Sequence, residues 1–272
     1  MDLWQAALLG LVEGLTEYLP VSSTGHLLLA QRAMGIPVSE ASNAFAICIQ
    51  AGAILAVFAL YRARLAQVAR GVVGRDPAGR ALFKNLAVAF VPAAVIGKLF
   101  HDPIELMLFG LWPVVGAWLV GGLFLCWLSR RKFAEGGVAL ESMGWTSAAI
   151  IGLCQCAALW PGISRSLATI AAGLLCGLGL ARAIEFSFLL GLLTLGAATT
   201  YMAFQQGPQL LEAYGVLAPM VGLSVAFVAA WLSVRWMVRT LDARTLAGFG
   251  VYRVLLAGVV AVLLTLGVIE AG

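Results

Sequence analysis

The sequence predicts an all-α polytopic membrane protein built as an inverted-topology repeat: six transmembrane helices plus two re-entrant helical hairpins that meet near the midplane. Three observations predict it. Hydrophobic residues make up 62% of the 272 and charged residues only 11%, more apolar surface than a soluble domain can hide. Apolar stretches near the length of a membrane span, about 20 residues, recur from end to end. Two further apolar stretches, 3–36 and 144–180, are each broken in the middle by turn-forming and polar residues.

The chain opens Met1-Asp2-Leu3, without the positive n-region of a cleaved signal peptide, so these residues are expected to stay in the fold. The first broken region carries "LPVSSTGH" and the second "WPGISRS". The apolar pieces around them run roughly 10 to 17 residues, too short to cross a core that takes about 20. Each pair therefore predicts a re-entrant hairpin, because irregular backbone at membrane depth is tolerated only inside protein or beside water. Continuous spans are predicted at 43–61, 81–99, 104–128, 186–205, 216–237 and 246–269, within a single integral membrane domain covering 1–272.

The halves, about 1–128 and 144–272, echo one another. Gly10-Leu11-Val12-Glu13 matches Gly152-Leu153-Cys154-Gln155 at a shift of 152 − 10 = 142. The same shift lays Ser22-Ser23-Thr24 on Ser164-Arg165-Ser166. Each half holds one hairpin and three crossings; an odd number inverts the second half, so the hairpins enter from opposite faces.

Basic residues set the orientation. Arg62, Arg64, Arg70, Arg75, Arg80 and Lys84 follow the first span, in a stretch expected to be a loop. Arg130, Arg131 and Lys132 follow the third, Arg182 follows the second hairpin, and Arg235, Arg239 and Arg244 follow the fifth. These thirteen of the seventeen Lys and Arg residues fall on one side, which is therefore cytoplasmic. The net charge of +4 is small and dispersed, which argues against a nucleic-acid partner. Cys48, Cys126, Cys154, Cys156 and Cys176 all lie in apolar runs without paired metal-ligand spacing and read as small buried hydrophobes.

The polar residues inside the breaks carry the chemistry. Glu13 and Glu17, four apart, share a helix face. Two adjacent carboxylates in an apolar element repel unless a proton or a cation lies between them; the plainer alternative is that they snorkel to an interface. Oxygen ligands of this kind suit Mg²⁺ or Ca²⁺, with waters or a substrate phosphate completing the shell. Ser22, Ser23, Thr24 and Gly25 follow Pro20 where a helix resumes, aiming hydroxyls and amides at one point, a seat for an anion. Serines also cap helices with no chemistry at all. His26 adds a titratable group three residues from Ser23, whereas His101 falls in a short outer loop and reads as a surface residue.

In the second hairpin Gln155 and Leu159 stand where the first has its carboxylates, and Arg165, flanked by Ser164 and Ser166, stands where it has Ser23. An arginine at mid-membrane beside hydroxyls points to phosphate or carboxylate recognition. The alternative is a buried ion pair with Glu17 that only locks the hairpins together. Brought together, the hairpins would offer acids, a hydroxyl, an acid/base histidine and an anion clamp, the inventory of phosphoryl transfer. Ser23, His26 and an activated water are the candidate attacking groups, and Ser23 is favoured because it would face Arg165.

"EGLTEYLPVSSTGH" and "ALWPGISRS", with "IQAGAILAV" and "EFSFLLG", closely resemble the bacterial undecaprenyl-diphosphate phosphatases, or bacitracin-resistance proteins, over essentially the whole chain. The resemblance implies an inner-membrane enzyme that removes the terminal phosphate from undecaprenyl diphosphate, recycling the carrier of cell-wall precursors. With the basic side cytoplasmic, both termini and the mouth of the first hairpin face outward, so the active site is expected to open to the periplasmic or outer face. The resemblance also implies an acidic motif at Glu13 and Glu17, a serine–histidine loop at Ser22, Ser23, Thr24 and His26, and an arginine motif at Ser164, Arg165 and Ser166. No organic cofactor is expected, the partner is the lipid substrate, and a homodimer is one assembly open to such a protein. Two positions depart from the family pattern: Leu167 stands where glycine is usual and Leu193 where proline is common. The first would crowd the backbone beside the phosphate, and the second would straighten a kinked span. The main rival reading is a secondary transporter or lipid flippase, since inverted repeats with broken helices mark those proteins too. A structural scaffold would leave the midplane charges unexplained.

Overall fold

The computed structural model describes residues 1–37, 39–131, 136–240 and 242–270, with the side chains of 101, 102 and 105 set aside. The side chains of His101 and Lys132, both part of the expectations above, thus lie outside the described residues. Twelve α-helices are described: α1 Leu3–Thr16, α2 Ser23–Ala33, α3 Glu40–Leu60, α4 Arg62–Val72, α5 Pro77–Leu99 and α6 His101–Leu108, then α7 Leu111–Leu128, α8 Trp145–Gln155, α9 Arg165–Leu175, α10 Leu180–Tyr214, α11 Leu217–Thr240 and α12 Ala243–Thr265. Among the described residues there is no strand, only one isolated bridge between Gly137 and Leu178.

Six helices, α3, α5, α7, α10, α11 and α12, are long and apolar enough to cross a membrane. Their starts are written in the sequence. Ser39 accepts from the Ser42 amide at 3.1 Å while the Ser42 hydroxyl accepts from the Ser39 amide at 2.9 Å. Asp76 caps α5 through Gly79 at 2.9 Å, with Pro77 in the first turn, and Asp242 caps α12 through Thr245 at 2.7 Å. Such caps satisfy amides that a helix start leaves without partners.

Three expectations change. The span placed at 104–128 divides, because Gly110 takes extended backbone (φ −162°, ψ 163°) and restarts the helix as α7, with Pro113 tolerated in its first turn. The span placed at 186–205 is the middle of the 35-residue α10. At 1.5 Å per residue that helix is about 52 Å long, so it overruns a core of about 30 Å. The stretch at 62–84 is mostly helix: α4, then the start of α5. Arg64 ties α4 down, donating to Glu185 of α10, to Glu141 at 2.6 Å and to Gln67 at 2.7 Å.

The broken regions form two helix–break–helix pairs, α1 with α2 and α8 with α9. Adding 142 to the bounds of α2 gives the bounds of α9. Each leading helix packs on a long helix of the other half: α1 on α11, and α8 on α5. Close approach needs small residues at the crossing. Gly14 faces Ala226, Ala229 and Ala230, and a Cβ added to it would lie 2.7 Å from that of Ala229. Gly152, 142 residues beyond Gly10, sits as close to Ala89 of α5. Around these crossings α3 packs between α10 and α11, and α7 packs on α12. Phe58, Leu106, Phe204 and Leu255 lie on the outer surface with more than half their area exposed, as a lipid-facing surface requires. The largest buried cluster gathers Tyr18 of the first break with Leu82, Leu167, Phe186 and Phe188.

Candidate active site

Both breaks end on a serine held in an unusual backbone conformation. Ser22 has φ 74° and Ser164 has φ 77°, and they are the non-glycine residues with positive φ among those described. They lie 142 apart, each just ahead of a helix. Such a conformation costs about 1–3 kcal/mol and persists only where the surroundings over-determine it.

The surroundings do so through the carbonyls. In the first break Leu19 O accepts from Ser166 Oγ at 2.8 Å, and Pro20 O from Arg253 at 3.1 Å. Val21 O accepts from Trp118 Nε1 at 3.1 Å, and Ser22 O lies 2.7 Å from His26 Nδ1. Four consecutive carbonyls of irregular backbone each find a side-chain partner, as burial requires. The second break is held by the same arginine. Arg253 donates to Gly162 O at 2.8 Å and Ile163 O at 3.2 Å, and also to Ala117 O of α7 at 2.9 Å. It is fully buried and has no carboxylate partner among the described residues. One guanidinium on α12 therefore joins both breaks to α7.

Beside this clamp lies a cluster of buried polar side chains. Glu17 is buried, and its two oxygens are used by different partners: Ser23 Oγ donates to Oε2, and Arg165 approaches Oε1 at 3.4 Å. Arg165 also donates to Ser187 O at 2.8 Å. Its guanidinium lies 5.2 Å from the Tyr18 ring centroid, a cation–π distance. Gly191 makes room for it, since a Cβ there would come within 2.5 Å of Arg165 Cζ. Thr169 and Ser187 join hydroxyls at 2.6 Å behind it. Glu13 is buried against Glu17, and its Oε1 has no hydrogen-bond partner.

His26 is placed differently from Ser23. Its Nδ1 can only donate to the Ser22 carbonyl, so in the neutral ring Nε2 accepts from the Tyr252 hydroxyl at 2.7 Å. No hydrogen bond joins His26 to Ser23 among the described residues. Thus the fold brings together Glu13, Glu17, Ser23 and Arg165, while His26 bonds the Ser22 carbonyl and Tyr252 instead. Thr24 is exposed, and Gly25 packs on Trp118, where a Cβ would lie 2.6 Å from the indole. Ser164 caps α9 through the Leu167 amide at 3.3 Å, and its hydroxyl lies 3.0 Å from that of Ser166. Leu167 turns into the buried cluster, and α10 runs unbroken through Leu193, whose side chain is 39% exposed.

Sequence reasoning missed Arg253, Tyr252, Tyr18 and Ser187. For Arg253 the signal was present, a lone charge inside an apolar span, and such residues are functional candidates by default. Ser187 lies inside "EFSFLLG", one of the stretches that carry the resemblance, yet nothing in the sequence marks its backbone carbonyl as a partner for Arg165. As to a cation, no group of three or more His, Cys, Asp or Glu is assembled among the described residues. The pair Glu13 and Glu17, with one oxygen of Glu13 unpartnered, fits an ion that takes its other ligands from water and a phosphate.

A family model described as bacitracin resistance protein BacA matches residues 6–259. A protein of Sorangium cellulosum described as undecaprenyl-diphosphatase is 47% identical over 261 residues, covering 94% of this chain and 85% of its own length. One of Deinococcus deserti with the same description is 38% identical over 276 residues, covering 100% and 99%. The undecaprenyl-diphosphatase 2 of Rhodospirillum rubrum is 43% identical over 251 residues, covering 92% and 90%.

Proposed function

The chain belongs to the bacitracin resistance protein BacA family, and on that premise we propose that it hydrolyses undecaprenyl diphosphate to undecaprenyl phosphate and phosphate. The observation that carries this reading is the single carboxylate of Glu17, which holds a hydroxyl on one oxygen and a guanidinium near the other. A hydroxyl with an adjacent base and an anion clamp is what attack on a phosphoanhydride needs.

Glu17 takes the Ser23 proton as Oγ attacks the terminal phosphorus. The anhydride P–O bond breaks, and undecaprenyl phosphate leaves. Water then attacks the phosphoserine, releasing phosphate and restoring the hydroxyl. Arg165 loosens from Glu17 to grip the phosphoryl oxygens as charge gathers on them. His26, its Nδ1 proton held by the Ser22 carbonyl and its Nε2 accepting from Tyr252, steadies the backbone that carries Ser23; it would protonate the leaving phosphate only once Nε2 has let go of Tyr252 and taken up a proton. Glu13 and Glu17 would hold the divalent cation, whose chemistry is to neutralise charge on the diphosphate. Recycling of the lipid carrier, and with it bacitracin resistance, would be the cellular role.

The same reading takes the helix–break–helix pairs as re-entrant hairpins of an inverted repeat, which the matching helix bounds and the paired strained serines support. It puts the protein in the inner membrane with the site open to the outer face.

The test is phosphate release by purified protein, by Ser23→Ala, and by both with chelator. Ser23→Ala is expected to lose about 10³-fold or more in turnover, and chelator to silence the wild type. A Ser23→Ala variant with normal turnover would remove serine as the nucleophile. Unchanged activity in chelator would leave Glu13 and Glu17 sharing a proton instead.

A further inference from the structure

A groove of about 410 Å³ opens alongside the first break. Its walls are the last turn of α1, Leu19 and Val21 of the break, Trp236 of α11, and Gly248, Phe249 and Tyr252 of α12. No charged side chain lines it. Trp236 and Tyr252 are 48% and 44% exposed at its edge, so it opens on the apolar outer surface of two candidate spans.

The geometry points to this groove as the seat of the first isoprene units of a polyprenyl chain. The inference rests on the reading that the site cleaves a polyprenyl diphosphate. Continuity with the site identifies the occupant. Tyr252 is at once a wall of the groove and the hydrogen-bond partner of His26, at 2.7 Å. The side chains of Leu19 and Val21 form another wall, while their carbonyls receive Ser166 and Trp118. Groove and reactive cluster thus share one short stretch of chain, with Leu19 and Val21 lying between Glu17 and Ser23. A molecule with a diphosphate at Ser23 and Arg165 and a tail in the bilayer has this apolar way out beside it. The volume falls in the range of about 300–1,000 Å³ usual for small-molecule sites.

The groove acts by placement rather than by attraction. A prenyl chain arriving from lipid gains little hydrophobic energy, because lipid tails are as apolar as leucine. What it gains is a fixed direction, which aligns the anhydride for in-line attack. Gly248 sets the depth: no heavy atom lies within 4 Å of a Cβ added there, so the helix backbone is bare to the groove.

That open space supplies the test. Gly248→Phe fills the groove without a clash against backbone and replaces a poor helix former with a better one. Gly258→Phe is the control, on the same helix, equally open and outside the groove. We compare kcat/KM for undecaprenyl diphosphate and for dimethylallyl diphosphate, one isoprene unit long, in detergent. Gly248→Phe should lower the ratio of long to short substrate about tenfold, and Gly258→Phe should keep the wild-type ratio. A wild-type ratio in Gly248→Phe overturns the groove as the chain's seat. Wild type that releases phosphate from neither substrate overturns the phosphatase reading instead. Should Gly248→Phe fail to fold, a prenyl diphosphate bearing a photoreactive group on its first unit decides with wild type alone. Labelling within 236–252 upholds the inference, and labelling confined to other segments sinks it.

Discussion

Arg165 meets three groups at once: the Glu17 carboxylate, the Ser187 carbonyl and the Tyr18 ring. Each fixes a different freedom of the guanidinium, so it is oriented before any substrate arrives. Losing one such preorganised donor lowers rate by about 10²–10³. Arg165→Ala is therefore expected to retain almost no phosphate release, and Arg165→Lys to recover only part, because an ammonium lacks the planar fork. An alanine variant with full turnover would take Arg165 out of the reaction. The polar residues that the fold gathers at the breaks were legible because polar side chains inside apolar segments are costly and so stand out. The wiring among them was not. A four-residue spacing places Glu13 beside Glu17, but which oxygen holds Ser23 depends on contacts across 148 residues of chain.

At the scale of elements, the breaks are the feature that local sequence describes and local sequence cannot hold. Proline, glycine and serine mark where the helices stop, yet the carbonyls they release are satisfied from α2, α7, α9 and α12. Arg253 alone accounts for four acceptors. Each buried polar group left without a partner costs about 1–3 kcal/mol, so Arg253→Met should lower the unfolding temperature in detergent sharply and abolish turnover. Arg253→Lys should restore little, since one ammonium has three donors. A methionine variant as stable as wild type would deny the clamp. On the opposite element boundary, Arg64 reaches Glu141 and Glu185. Burial pushes the Glu141 carboxyl up, but a backbone amide, Arg64 and Arg182 outweigh it and hold it below the usual carboxylate range. A lowered folded value means the contribution is complete above the unfolded value, about 4.3, and fades as pH falls through the folded one. Below about pH 4 the wild type should therefore lose more thermal stability than Glu141→Gln; parallel pH profiles would contradict this.

For the whole molecule, hydropathy and charge carry most of the prediction. All six expected spans overlap helices long and apolar enough to cross, because span length follows from bilayer thickness. The split before α7 and the overrun of α10 were hidden for a physical reason: apolar content does not report where backbone hydrogen bonds are interrupted or continue. Orientation is a separate prediction, resting on the basic residues. Arg75 and Gln209 are both exposed. Single cysteines there should react with a membrane-impermeant reagent only from the inside at 75 and only from the outside at 209. The reverse pattern would turn the molecule over.

The clamp has a consequence for biosynthesis. Pro20 and Arg253 are 233 residues apart, and at about 5–20 residues per second a ribosome needs roughly 12–47 s to pass from one to the other. Throughout that interval the first helix–break–helix pair has been made while the side chain that holds its break has not. Its carbonyls must wait at the bilayer surface or in the insertion machinery. A nascent chain released before α12 should therefore remain protease-sensitive at residues 17–22, and become resistant only once its final span is in the membrane.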